Sequence, residues 1–152
     1  MSKNKNSKRL FKDFESRTAN GVFVRIAKDM MRSKAFSDLS MQQICLYMFF
    51  KSEYNPEKST KGIVVEANDK NILFPDTKWK PLYRGNYRAW RKDRDTLILH
   101  GFIELSENGT FTRTPNVYAL SSLWKEWPEN QEEIRKKFEK TKCAKARAGP
   151  EE

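Results

Sequence analysis

The densest run of apolar residues lies between positions 41 and 50 and covers most of a helix circumference. It includes Met41, Ile44, Cys45, Tyr47, Met48, Phe49 and Phe50. Ser40 precedes the run as an N-cap candidate, and Gln43 stands three residues later, which is the spacing of a capping box. Asn55-Pro56 ends the run, because proline cannot continue a helix. The pattern predicts a central core helix that is buried on several sides.

A second helical pattern begins at Asn86, a good N-cap residue, and ends before Gly101, which suits the left-handed position after a helix. His100 in the last turn suits the negative end of the helix dipole, and Arg94 stands at an intermediate turn. The inward stripe is predicted to be Tyr87, Trp90, Leu97 and Ile98. The rest of this helix is rich in charge, and a charge-rich helix face is usually solvated.

Weaker signals precede and separate these helices. Residues 22–26 alternate enough to predict a short strand or extended segment, and residues 28–34 suit a short helix with Met30 and Met31 facing inward. Residues 57–61 are predicted to be a solvated loop. Residues 63–65 could then form a short strand before a turn at residues 68–71.

A short element between the two main helices has conflicting signals. Asp76 could cap a helix that runs through Trp79, and the residues just before it, 72–75, are largely apolar. Pro81 lacks a backbone donor and pushes Lys80 out of helical geometry. We therefore expect this element to be brief or broken.

The segment after Gly101 has the pattern of a hairpin. Residues 102–105 alternate as a strand, residues 106–109 give a tight turn signal, and residues 110–113 return. Residues 117–120 extend or follow the returning strand, and residues 121–127 could form a final turn of helix.

The chain has 152 residues, 38% of them hydrophobic, which fits one core of about 100 residues with tails. We expect a flexible basic arm over residues 1–20, a domain over 21–127, and a polar, basic and partly helical tail over 128–152 that lies in solvent and has Ile134 and Phe138 as its apolar positions. The 30 Lys and Arg against 20 Asp and Glu leave a net charge of +10. Nucleic acid or an anionic membrane would attract such a chain, although charge in the tails alone could account for the excess.

Several functional classes are disfavoured. No apolar stretch approaches the roughly 20 residues of a membrane span, and the polar start has no secretion-signal core, so we expect a cytoplasmic protein without a membrane partner. Cys45 is predicted to be a core residue, and Cys143 lies in the basic tail. Two cysteines placed in this way disfavour a disulfide framework or a zinc cluster. The chain has one His, no glycine-rich phosphate loop and no metal-ligand spacing, and its tyrosines lack the Arg/His pocket of a strand-transfer nucleophile. We expect neither an enzyme nor a cofactor.

The order of elements and three local motifs resemble winged helix-turn-helix proteins of bacterial mobile elements, plasmid replication proteins included. Residues 86–103, with the ending Leu-Ile-x-x-Gly-Phe-Ile, resemble that family's recognition helix and first wing strand. Residues 23–40, with Ala-Phe-x-x-Leu-Ser, resemble its opening, and residues 116–124, with Asn-x-Tyr-x-Leu-Ser-x-x-Trp, resemble its close. The similarity spans about residues 21–127 and implies an α+β winged-helix fold. The chain differs at residues 79–81, where the family has a regular helix, and at Arg94, where an apolar residue is common.

The same region concentrates positive charge. Residues 78–94 carry seven basic side chains against Asp93: Lys78, Lys80, Arg84, Arg88, Arg91, Lys92 and Arg94. A helix in the major groove presents its N-terminal part to the bases, where Arg can bind guanine and Asn can bind adenine. All seven of these basic residues and Asn86 are predicted DNA contacts, and the candidates for the helix in the groove are Arg84, Asn86, Arg88, Arg91 and Lys92. Tyr87 and Trp90 are assigned to packing. Further predicted DNA contacts at the hairpin tip are Asn108, Thr110, Thr112 and Arg113. In the arm, the residues predicted to attract DNA electrostatically are Lys3, Lys5, Lys8 and Arg9.

The function expected from the sequence is sequence-directed binding of double-stranded DNA. The resemblance implies a mobile-element protein that acts in replication initiation, conjugative transfer or transcription regulation, alone, as a dimer or with other proteins of the element. Two alternatives remain open at this point. The chain could bind nucleic acid without sequence preference, or its winged helix could serve as a protein-interaction module.

Overall fold

The computed structural model describes residues 24–54, 56–58 and 64–144. The first half of this part contains α1 (Lys28–Met31), α2 (Lys34–Ser37), α3 (Met41–Ser52), β1 (Pro56–Lys58), β2 (Val64–Ala67) and β3 (Ile72–Leu73). The second half contains α4 (Asp76–Tyr83), α5 (Tyr87–Leu99), β4 (Ile103–Glu107), β5 (Val117–Leu120), a 3-10 helix (Leu123–Glu126) and α6 (Gln131–Cys143).

Three strands form a small antiparallel sheet in the order β3-β5-β4. Ile72 pairs with Tyr118 across β3 and β5, and Ile103 pairs with Leu120 across β4 and β5. Strands β1 and β2 form a separate antiparallel pair between α3 and β3. The described part is therefore a mixed α+β structure, as predicted, and its element order is compatible with a winged helix.

Helix α3 begins as the sequence predicts. The Ser40 hydroxyl accepts a hydrogen bond from the Gln43 amide at 3.3 Å, and the Gln43 side chain accepts one from the Ser40 amide at 2.9 Å, which completes the capping box. Burial on several sides is wrong, however. Leu46, Tyr47 and Phe50 are buried. The opposite side carries exposed side chains, namely Met41, Cys45, Met48 and Phe49, so Cys45 is not a core residue.

Trp90 of α5 stands at the centre of an aromatic core. Its ring stacks on Phe50 of α3 at 6.0 Å, on Phe74 at 5.4 Å and on Trp79 of α4 at 5.7 Å between centroids. Tyr83 meets the same ring edge-on at 5.9 Å. Because aromatic pairs add specific geometry to apolar burial, Trp90 fixes α5 against both α3 and α4.

Helix α4 is longer than the sequence predicts. It continues for eight residues, with Pro81 inside it, so the expectation of a brief or broken element is wrong. The helix begins at Asp76 with Pro75 at the N-cap position, and the Trp79 indole donates to the Asp76 carboxylate at 3.0 Å. Trp79 and Tyr83 are both buried. We attribute the continuity of the helix to this burial, which outweighs the one hydrogen bond that Pro81 cannot make.

The β4–β5 connection differs from the predicted tight hairpin. Strand β4 continues to Glu107, and the returning strand is β5, so residues 110–113 belong to a loop rather than to a strand. Within this loop the Asn116 side chain accepts a hydrogen bond from the Gly109 amide at 2.9 Å. The Gly109 carbonyl accepts a bond from the Thr114 amide at 3.1 Å. These internal bonds replace the strand pairing expected there.

The predicted polar tail contains a packed helix. Ile134 and Phe138 of α6 are each 5% exposed, and Lys137 pairs with Glu104 of β4 at 3.2 Å. These two apolar residues, spaced one helical turn apart, bury one face of α6 against α5 and β4. Residues 145–152 and the predicted basic arm, residues 1–20, lie outside the described residues.

Five smaller predictions have mixed outcomes. The helix predicted over residues 28–34 is divided into α1 and α2, with Met30 buried but Met31 56% exposed. Residues 24–27 form no regular element, and residues 21–23 lie outside the described part. Residues 56–58 pair as β1, so the solvated loop is wrong there. The strand near residue 64 and the turn at residues 68–71 are confirmed, since the Asn71 amide donates to the Asn68 carbonyl at 2.9 Å.

Candidate nucleic-acid interface

Helices α4 and α5 are joined by a two-residue left-handed turn. Arg84 has φ 50° and Gly85 has φ 75°, and the Gly85 amide donates to the Lys80 carbonyl at 3.0 Å. Asn86 then caps α5 by accepting from the Ala89 amide at 3.1 Å, as predicted. At the other end, Gly101 has φ 79°, the predicted left-handed conformation. The chain therefore reverses sharply and presents the start of α5 beside α4.

A polar cluster holds three helices together beneath this turn. The side-chain amide of Gln43 in α3 donates from Nε2 to one Asp93 oxygen at 3.1 Å, and the Tyr83 hydroxyl of α4 donates to the other at 2.8 Å. Burial raises the pKa of Tyr83 above its ordinary range, and the Asp93 carboxylate raises it further. Tyr83 is therefore a neutral donor at physiological pH. Asp93 is turned toward α3 and α4 rather than toward the exposed cations of α5.

The exposed side of α5 and the preceding turn is basic. Arg84, Arg88, Arg91 and Lys92 are exposed, and three of them, Arg84, Arg88 and Lys92, have no acidic partner among the described residues. Tyr87, Arg88, Arg91, Lys92 and Asp95 line a shallow depression of about 340 Å³. We call this basic surface, formed by Arg84, Arg88, Arg91 and Lys92, the α5 face.

Asp95, the acidic residue that lines the same depression, already has basic partners. One Asp95 oxygen accepts hydrogen bonds from Arg94 at 2.7 and 3.0 Å, and the other lies 4.0 Å from Arg91 Nε. With Asp93 turned toward α3 and α4, the exposed charges of the first two turns of α5 are those of Arg88, Arg91 and Lys92. An anion is the ligand that this arrangement favours.

Three predicted contacts do not belong to this face as free cations. Lys78 pairs with Glu53 at 3.0 Å, and Lys80 pairs with Asp76 at 2.7 Å. Arg94 is 7% exposed, so its assignment as a DNA contact is wrong: its side chain lies inside the domain. Asn86 is exposed, but its side-chain oxygen already serves as the helix cap, which leaves only its amide nitrogen for a base.

The predicted tip residues have different environments. Asn108 is only partly exposed, and its side chain is engaged within the protein: it donates to the Lys142 carbonyl at 2.8 Å and accepts from the Thr110 amide at 3.1 Å and hydroxyl at 2.7 Å. Thr112 and Thr114 hydroxyls share a hydrogen bond of 2.7 Å. Arg113 is exposed, with φ 55°. The loop therefore offers Arg113 as its exposed cation, whereas Asn108 supports the loop from inside.

Tyr87 is a surface residue that the sequence pattern misplaced. Its spacing of three residues from Trp90 predicted packing, yet it is 55% exposed and only leans on Trp79, with centroids 5.7 Å apart. As the first residue of α5, it lies at the end of the helix where the buried stripe has not yet begun. The sequence did contain a sign of this exposure: Tyr87 stands four residues before Arg91, and residues at that spacing lie on the same helix face.

Comparisons with protein-family models, with characterised proteins and with solved structures find no match for this chain. Within the described residues, no helix is long and apolar enough to cross a membrane. The same residues contain no group of three or more His, Cys, Asp and Glu side chains placed to hold a metal ion. Function must therefore be inferred from the α5 face and its surroundings.

Proposed function

We propose that this chain is a winged helix-turn-helix protein that binds double-stranded DNA in a sequence-directed way. In this proposal α4 and α5 form the helix-turn-helix, α5 enters the major groove, and the β4–β5 loop is the wing. The observation that carries the proposal is the α5 face, where four cations are exposed while Asp93 and Asp95 are held by other side chains. Major-groove recognition uses such residues near the start of a helix.

The site favours particular roles for its members. Arg88 lies in the first turn of α5, fully available for a bidentate bond to guanine, and Tyr87 beside it can donate its hydroxyl to a phosphate. Arg84, Arg91 and Lys92 supply phosphate contacts, and Arg113 supplies one from the wing. The resemblance noted in the sequence supports a place in a bacterial mobile element, in replication initiation, conjugative transfer or transcription regulation.

The test is titration of the purified protein against DNA fragments that span its own genetic element, with random duplex as competitor, at two salt concentrations. We expect a footprinted site that survives the competitor. Weak binding that salt abolishes on every fragment would instead indicate a non-specific nucleic-acid binder. Absence of any salt-dependent binding would overturn the proposal and favour a protein-interaction role.

A further inference from the structure

Arg94 is a buried charged residue inside a helix whose other cations are exposed. Its Nε and Nη2 atoms donate to Asp95 at 3.0 and 2.7 Å, and its Nη1 atom lies 3.5 Å from the Tyr118 hydroxyl of β5. Burial disfavours the charge, but Tyr118 and Asp95 favour it more strongly, and the balance raises the pKa of Arg94. The guanidinium is therefore a fixed positive charge with partners on a helix and on the sheet.

Asp95 connects this buried guanidinium to an exposed one. One oxygen accepts both bonds from Arg94, and the other oxygen lies 4.0 Å from Arg91 Nε on the α5 face. The Asp95 side chain is 23% exposed, compared with 51% for Arg91. A carboxylate held by two bonds on one side has few orientations left, so its second oxygen gives Arg91 a fixed partner.

Tyr118 connects the same guanidinium to the β4–β5 loop. Its hydroxyl accepts from the Asn116 side chain at 3.4 Å as well as lying near Arg94. Asn116 in turn accepts from the Gly109 amide at 2.9 Å, which closes the base of the loop. The polar contacts are continuous from Gly109 through Asn116, Tyr118, Arg94 and Asp95 to Arg91.

We infer that Arg94 is a positioning residue that orients Arg91 for phosphate through Asp95 and fixes the β4–β5 loop to α5 through Tyr118. The role in DNA binding rests on the proposed function, whereas the link between loop and helix exists without DNA. The two halves of the interface are then held at a set separation before any ligand arrives. Preorganisation of this kind reduces the ordering cost of binding.

The link can be measured by amide hydrogen exchange on the free protein. In Arg94→Met, which keeps an unbranched apolar stem but is shorter and carries no charge, we expect the Gly109 amide to exchange roughly tenfold faster. Tyr118→Phe, which removes only the hydroxyl, should give the same change. The Trp90 amide, bonded to the Asn86 carbonyl at 3.1 Å, is the internal control for intact folding. Unchanged Gly109 exchange in both variants overturns the link.

The positioning role can be measured by a double-mutant cycle with a random-sequence duplex as the probe. Arg91→Ala should weaken binding about fivefold in the wild-type background and less than about twofold in Arg94→Met. Lys92→Ala is the matched control, because Lys92 exposes a neighbouring charge outside this chain of contacts, and its cost should be equal in both backgrounds. Asp95→Asn repeats the cycle should Arg94→Met not fold.

The outcomes separate the inference from the function on which it rests. Equal costs of Arg91→Ala in both backgrounds overturn the positioning of Arg91 even when the wild-type protein binds DNA. A wild-type protein that binds no DNA overturns the proposed function together with the positioning of Arg91, and the exchange measurement alone then decides the link between loop and helix.

Discussion

Arg88→Ala is the sharpest probe of base recognition by α5. The Arg88 side chain is exposed in the first turn of the helix and has no acidic partner among the described residues. Its removal therefore breaks no described ion pair, and the free energy of unfolding should change by less than about 0.5 kcal/mol. An effect on DNA binding can then be attributed to the interface.

The expected size depends on whether Arg88 binds a base or a phosphate. A bidentate bond to guanine predicts a loss of about 1–3 kcal/mol at the cognate site, which is roughly a 5- to 150-fold weaker affinity. A phosphate contact predicts a similar loss on every sequence and a decrease of about 0.9 in the slope of log K against log salt. Lys92→Ala, one turn further along α5, is the phosphate comparison.

Fluorescence anisotropy on two labelled duplexes distinguishes these cases. One duplex carries the footprinted site and the other has the same length and a random sequence, and both are titrated at several salt concentrations. We expect Arg88→Ala to lose affinity mainly on the first duplex and Lys92→Ala to lose it on both. An equal loss on both duplexes in Arg88→Ala would refute the base contact.

Two further predictions concern the stability of the domain, each measured by urea unfolding. Gly85→Ala should lower the free energy of unfolding by about 1 kcal/mol, because φ is 75° but nothing lies within 4 Å of the added carbon. Gly101→Ala should lower it by about 3 kcal/mol or more, because its new carbon would lie 2.5 Å from the Trp124 amide nitrogen. Equal losses in the two variants would contradict the close approach at Gly101. Burial raises the pKa of Tyr47 from 10.0 to about 12, so its contribution to stability is complete below pH 10 and is lost as pH rises to 12, by about 3 kcal/mol. Tyr47→Phe should reduce the loss of stability over that pH range, and an unchanged pH profile would contradict the assignment.

The sequence predicts best where the structural signal is local. The capping box at Ser40 and Gln43, the cap at Asn86 and the left-handed Gly101 all appear as expected, because each depends on residues within one helical turn. Pro81 misled the prediction of α4, since the penalty of one missing hydrogen bond is local and the packing of Trp79 on Trp90 is not.

Contacts between elements that are distant in the sequence determined the burial of the charged and apolar residues whose positions were predicted wrongly. Cys45 belongs to an apolar run, but no element of the described part covers that side of α3, and Cys45 is exposed. Ile134 and Phe138 lie in a polar segment, yet two apolar residues one turn apart were enough to place α6 against the sheet. The sequence analysis treated Arg94 as a surface charge, but hydrogen bonds to Asp95 and Tyr118 stabilise its guanidinium inside the domain.

The charge that α5 presents sets a limit on how much of the binding it can explain. Residues 88–92 rise about 6 Å along the helix axis, over which a duplex carries roughly three to four phosphate charges. Three cations of the α5 face, Arg84, Arg91 and Lys92, are assigned to phosphates, and together they predict a salt slope of about −2.7. A slope near this value would make the α5 face the principal phosphate contact. A much steeper slope would require further cations that contact phosphates, and the candidates are Arg113 and the predicted arm residues Lys3, Lys5, Lys8 and Arg9. Replacing any one that does contact a phosphate with Ala should reduce the steepness of the slope by about 0.9.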